Sequence, residues 1–114
     1  MGRLLGAGAL QSKDILAPLA FALPGVGKRG RRTALKYLAF DDSGLIGVVI
    51  QVFAGRRVGR DLSAPLRSGS PTQTSYVAWR VPLRPPSPQL QFCVTPTDPS
   101  GNRGRRSCAP IKAV

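Results

Sequence analysis

Leu45-Ile46-Gly47-Val48-Val49-Ile50-Gln51-Val52-Phe53 is the stretch on which the fold turns. It is dense in β-branched residues, which are stiff at χ1 and suit a pleated surface better than a helix. Val48, Ile50 and Val52 alternate with Val49, Gln51 and Phe53, so a period of two sends one set inward and the other outward. Ahead of it stands Asp41-Asp42-Ser43-Gly44, whose short polar side chains bond the local backbone and turn the chain. Before that turn, Thr33 to Phe40 reads as a strand with Leu35, Tyr37 and Ala39 on one face and Lys36 on the other. Behind the central stretch, Ala54-Gly55-Arg56-Arg57 reads as a hairpin turn into a short strand from Val58 to Leu62.

The same reading extends outward in both directions. Leu19 to Leu23 forms a first strand set off by Pro18 and Pro24, and Gly25 to Arg32 is a glycine-rich basic turn. Ser63 to Thr74 is a polar, proline-containing connection. Ser75 to Val81 is a strand with Val77, Trp79 and Val81 on one face. Pro82 to Pro88 holds four prolines, which excludes regular structure there. Gln89 to Thr97 alternates Leu90, Phe92 and Val94 against Gln91, Cys93 and Thr95; Asp98-Pro99-Ser100-Gly101-Asn102 turns the chain, and Arg106 to Val114 closes it. The sum is an all-β chain, an antiparallel β-sandwich of about seven strands, with Leu35, Tyr37, Ile50, Trp79, Phe92 and Val94 in the core. Residues 1–13 read as a disordered tail and 14–114 as one domain.

Composition narrows the chemistry. The 114 residues carry 17 Lys and Arg against 5 acidic residues, a net charge of +12, with 13 Gly and 11 Pro and no Glu. Such a balance fits a nucleic acid, an anionic membrane or an acidic polymer, or simply a solvated arginine-rich surface. Histidine is absent, which removes the commonest general base and metal ligand, and two cysteines are too few for a structural zinc site. No serine has a visible base partner and no phosphate-binding glycine loop occurs, so the chain does not read as an enzyme. No run reaches the roughly 20 apolar residues of a membrane span. Arg3 followed by Leu4 to Leu10 is only faintly signal-like, and these residues read as a fragment of a longer secreted chain.

Four groups of residues together resemble bacterial immunoglobulin-like (fibronectin type III/Ig-like) modules of secreted and cell-surface proteins. They are Leu35-Lys36-Tyr37 through Asp41-Asp42-Ser43-Gly44, Trp79-Arg80-Val81-Pro82, Phe92-Cys93-Val94 through Asp98-Pro99-Ser100-Gly101-Asn102, and Ser107-Cys108-Ala109. The resemblance covers roughly Asp14 to Val114. It implies an extracellular or cell-surface spacer, adhesion module or accessory domain, monomeric or part of a longer chain.

Three constellations follow. Cys93 and Cys108 flank the last turn; if facing residue numbers sum to 201, they meet, as do Asp98 and Arg103. The expected disulfide implies an oxidising compartment, against free thiols in a cytoplasmic protein. An immunoglobulin-like topology brings the loop of Asp41 and Asp42 to the same end as Asp98 and Asn102, an oxygen-rich set of the kind calcium takes, though each residue also shapes its own turn. The opposite end then gathers Lys28, Arg29, Arg31, Arg32, Arg56, Arg57 and Arg84 as a candidate anion-binding pole. Trp79 and Tyr37 read as core rather than as stacking platforms. The expected partner is an anionic surface polymer or another protein; the competing reading is a small basic nucleic-acid-binding protein.

Overall fold

Alternation along each strand sorts the side chains onto two facing sheets. A computed structural model describes residues 17–41, 43–68, 74–85 and 87–114, giving backbone alone for 57–61 and 63–68; the expected tail at 1–13 lies outside them. Among the described residues eight strands run in the order β1 (Leu19–Ala22), β2 (Gly25–Gly27), β3 (Arg32–Phe40), β4 (Leu45–Ala54), β5 (Arg57–Ser68), β6 (Ser75–Arg80), β7 (Leu90–Thr97) and β8 (Ser107–Ala113). A three-stranded sheet has the order β1-β3-β6 and a five-stranded sheet the order β2-β8-β7-β4-β5. The described residues form no helix. The chain is all-β, in two layers compatible with a sandwich.

The expected core is the observed one. Leu35, Ile50, Phe92 and Val94 are wholly buried, with Tyr37 and Trp79 close behind. Leu35, Tyr37 and Trp79 come from the three-stranded sheet and Val48, Ile50, Val52, Phe92 and Val94 from the other, and they merge into a single apolar cluster. Burying an aliphatic or phenyl side chain contributes about 1.5–3 kcal/mol, so this two-layer cluster dominates the stability.

The sequence reading needs correction in three places. The first strand is β1 as expected, over Leu19–Ala22, but the glycine-rich segment after it is not all turn. Leu23 N–H still donates to the Lys36 carbonyl, but Pro24 has no N–H to continue that ladder, and the chain crosses to the other sheet. There Gly25–Gly27, expected as part of a turn, pairs in parallel with β8 as β2. The arrangement is therefore not purely antiparallel. The second correction concerns β5, which runs on for 12 residues through Pro65 instead of ending near Leu62. Among the described residues its only ladder is with β4, so it is an edge, where a missing N–H is tolerated. A register shift between Ile46 and Val48 takes up the irregularity beside Pro65.

The third correction is in the last connection. Pairs from Leu90↔Ile111 to Val94↔Ser107 keep the expected register, but beyond them Thr97, not Asp98, bridges to Arg103. Gly104 lies in this connection, and its N–H donates to the Pro96 carbonyl. A Cβ there would collide with the Pro18 carbonyl, so only glycine lets the chain entering β1 pass this close.

Candidate functional site

Backbone hydrogen bonds staple three connections into one end of the molecule. The β2–β3 turn closes with Arg31 N–H donating to the Lys28 carbonyl, and Gly30 takes φ 77°, a left-handed conformation that disfavours side chains. Gly30 N–H donates to the Val81 carbonyl at 2.8 Å and Val81 N–H returns to Arg31 at 2.9 Å, which fixes this turn against the chain leaving β6. Arg29 N–H reaches the Val114 carbonyl, tying the turn to the end of β8. Gly55, in the β4–β5 turn, donates to the Gln89 carbonyl at 2.8 Å and brings in the connection before β7.

The backbone thus places Lys28, Arg29, Arg31, Arg32, Arg56, Arg57 and Arg84 at this end, where all but Arg57, whose side chain is not described, are exposed. Two further cations join them. Arg80 lies directly opposite Arg32 on the β3–β6 ladder, a like-charge pairing that costs stability, and donates from its guanidinium to the Gly30 carbonyl at 2.7 Å. Lys112 projects outward from β8 and is exposed. No ion pair forms among the described residues at this end. Asp41 and Asp98 sit at the far end of the strands, where Gly47 at the start of β4 faces Thr97 at the end of β7.

The relief is as specific as the charge. Arg29, Arg84 and Lys112 border a cleft of about 490 Å³ together with Pro85, Ser87 and Pro88. A second cleft of about 590 Å³ lies on the outer face of the five-stranded sheet, lined by Pro24, Val26, Gln89, Gln91, Pro110 and Lys112 among others. Pro88, Leu90 and Lys112 line both, so the two adjoin as a two-part trough. Lys112 was missed in the sequence, although Pro110 and Lys112 alternate with the buried Ala109 and Ile111 and so mark an outward face.

At the acidic end the carboxylates serve their own turns. Asp41 Oδ2 accepts from Ser43 N–H at 3.0 Å, while its buried Oδ1 has no hydrogen-bond partner among the described residues. Asp98 accepts from Asn102 twice, from the backbone N–H at 2.8 Å and the side-chain amide at 3.0 Å. Among the described residues no three His, Cys, Asp or Glu side chains gather to hold a metal; Asp42, the remaining member of the proposed calcium set, lies outside them.

Burial pushes the Asp98 carboxyl up, but hydrogen bonds from the Asn102 side chain and backbone and from Ser100 and Gly101 outweigh it and leave the pKa below its ordinary 3.8. A folded pKa below the unfolded one means stability present above the unfolded value and lost as pH falls through the folded one. Asp98→Asn is therefore expected to lower the melting temperature at pH 6. The gap to the wild type should narrow below about pH 4, as the carboxyl protonates. A gap independent of pH would show that the charge of Asp98 contributes nothing.

Cys93 and Cys108 face each other across β7 and β8 and are joined by a disulfide, with Cα atoms 4.0 Å apart. Trp79 and Tyr37 are buried in the core, as expected. The exposed aromatics, Phe21 and Tyr76, lie on the three-stranded sheet away from the basic end. Phe53 is half-buried, with the Arg106 guanidinium carbon 5.7 Å from its ring centroid. Among the described residues no helix is long and apolar enough to cross a membrane. No protein-family model matches the chain, and no curated protein is significantly similar to it.

Proposed function

We propose that the chain is a non-catalytic, immunoglobulin-like binding module of the cell exterior whose basic end holds an acidic surface polymer. The observation that carries this reading is the convergence of Lys28, Arg29, Arg31, Arg32, Arg56, Arg84 and Lys112 at one end with no acidic partner among the described residues. Clustered, unneutralised cations raise the local potential and concentrate an anion there. Exposed arginines offer a planar fork suited to carboxylates, sulfates and phosphates.

The strand order supports the fold named here. An immunoglobulin-like chain sets its second strand beside its fifth and its third, sixth and seventh together, much as β3 pairs β6 while β4, β7 and β8 are neighbours. One departure is plain: the disulfide joins adjacent strands of one sheet, where antibody domains bridge two sheets. The bond supports an oxidising location all the same. Nucleic acid is the weaker partner, because single strands bind chiefly by stacking on exposed aromatics; Phe21 and Tyr76 lie on the other sheet, and Phe53 near this end is half-buried beneath the Arg106 guanidinium.

Titration with an acidic polysaccharide at low and moderate salt tests the reading. Exposed charge pairs contribute about 0.2–1 kcal/mol each, so replacing Arg29, Arg31 and Arg32 together by glutamine should weaken binding by roughly three- to a hundredfold. Wild-type binding should itself fall as salt shortens the screening length from about 10 Å at 0.1 M. The melting temperature should barely change, since these side chains are exposed on or beside a turn. Equal affinity for both proteins would overturn the proposal.

A further inference from the structure

The trough is charged at one end only. Where it rounds the molecular end, Arg29, Arg84 and Lys112 border it; along the outer face of the five-stranded sheet its polar side chains beyond Lys112 are the amides of Gln89 and Gln91, between Val26, Pro88 and Pro110. Both glutamines are exposed, and neither side chain is engaged by another described residue. A glutamine amide offers two donors and an acceptor, whereas a guanidinium or ammonium offers donors alone. A purely anionic chain such as polyphosphate brings only acceptors and leaves the amide oxygens unused. A sugar hydroxyl both donates and accepts, and the C–H face of a pyranose ring packs against proline rings and valine methyls.

We infer that the acidic polymer is a polysaccharide, laid lengthwise in the trough, with acidic groups at Arg29, Arg84 and Lys112 and ring hydroxyls at Gln89 and Gln91. The inference rests on the anion-binding reading of the basic end and adds the ligand class and its direction. The five-stranded sheet is a suitable platform, because Gln91 stands directly across from Phe53 on one side and Pro110 on the other, and strand pairing holds that row at fixed spacing. Lys112 lies at the junction of the two clefts and belongs to both.

The test compares two probes of matched charge, oligogalacturonate and inorganic polyphosphate, on the wild type, on Gln91→Ala and on Arg29→Gln/Arg84→Gln. The wild type should prefer the oligosaccharide. Gln91→Ala should weaken the oligosaccharide by roughly two- to tenfold, the range of one hydrogen bond, and leave polyphosphate unchanged. The double arginine variant should weaken both. If Gln91→Ala binds the oligosaccharide as the wild type does while the arginine variant loses both probes, the polysaccharide inference is overturned and the basic end remains an anion site. If the arginine variant loses neither, the anion-binding reading fails and takes the inference with it. Tighter binding of a single-stranded oligonucleotide than of the oligosaccharide would also overturn the inference. Gln91 is exposed, so an unchanged melting temperature checks that its variant is folded.

Discussion

Alanine in place of Phe92 is expected to lower the unfolding free energy by about 3–5 kcal/mol, the range for removing a buried phenyl ring. Phe92 is wholly buried on β7, between Val52 of β4 and Ala109 of β8, and β1 and β3 pack against β7 from the facing sheet. A domain of this size is stable by about 5–15 kcal/mol, so the loss is a large fraction of the total. The melting temperature should fall by roughly 12–25 °C, and Phe92→Leu, which keeps most of the volume, should fall by much less. A fall of under about 4 °C for the alanine variant would mean that the two sheets do not share this core.

Phe92 was legible from sequence because Leu90, Phe92 and Val94 recur at a period of two on β7, although Cys93 between them is buried as well, and Ile50 on β4 and Leu35 on β3 are read from the same period. Where alternation is long, the period of two identifies the buried face before any topology is known. It failed where the reason for a strand lies in the backbone. Gly25–Gly27 has one side chain beyond Cβ-free glycine, Val26, and that one is 62% exposed, so no inward pattern exists to read; its partner β8 supplies the ladder. Pro65 argued for a loop, and it is the edge position of β5, a tertiary fact, that permits a strand there. The register of β7 with β8 extrapolated correctly as far as the paired strands run, then slipped by one where Asp98 turned inward to take Asn102.

The basic end shows the same division. Its cations were countable, and the turns that carry them were recognisable by Gly30 and Gly55. That those turns form a trough rather than a rim depended on connections made through Val81, Gln89 and Val114, residues with nothing basic about them. Lys112 and the two glutamines enter the site only because β8 lies beside β7 with Pro110 and Gln91 in one row. Chemistry was readable residue by residue, whereas convergence required the sheet.

Reduction of the Cys93–Cys108 disulfide is expected to cost about 3 kcal/mol, because the bond closes a loop of 15 residues in the unfolded chain. The melting temperature should drop by roughly 12–15 °C in reductant, and the Cys93→Ala/Cys108→Ala protein should melt close to the reduced one. The native protein should weigh two hydrogens less than its reduced form. The consequence reaches the trough, since β8 is held on its other side only by the three residues of β2. With the bond gone, β8 can open locally at less cost than the whole fold, carrying Pro110 and Lys112 away from Gln91. Affinity for an acidic oligosaccharide, measured well below the melting temperature, should therefore fall on reduction, with little further change when Lys112 is also replaced by glutamine. An identical melting temperature with and without reductant would refute the stabilising role. Reduced protein that melts lower but binds as tightly as oxidised protein would show that the bond supports the fold without shaping the trough.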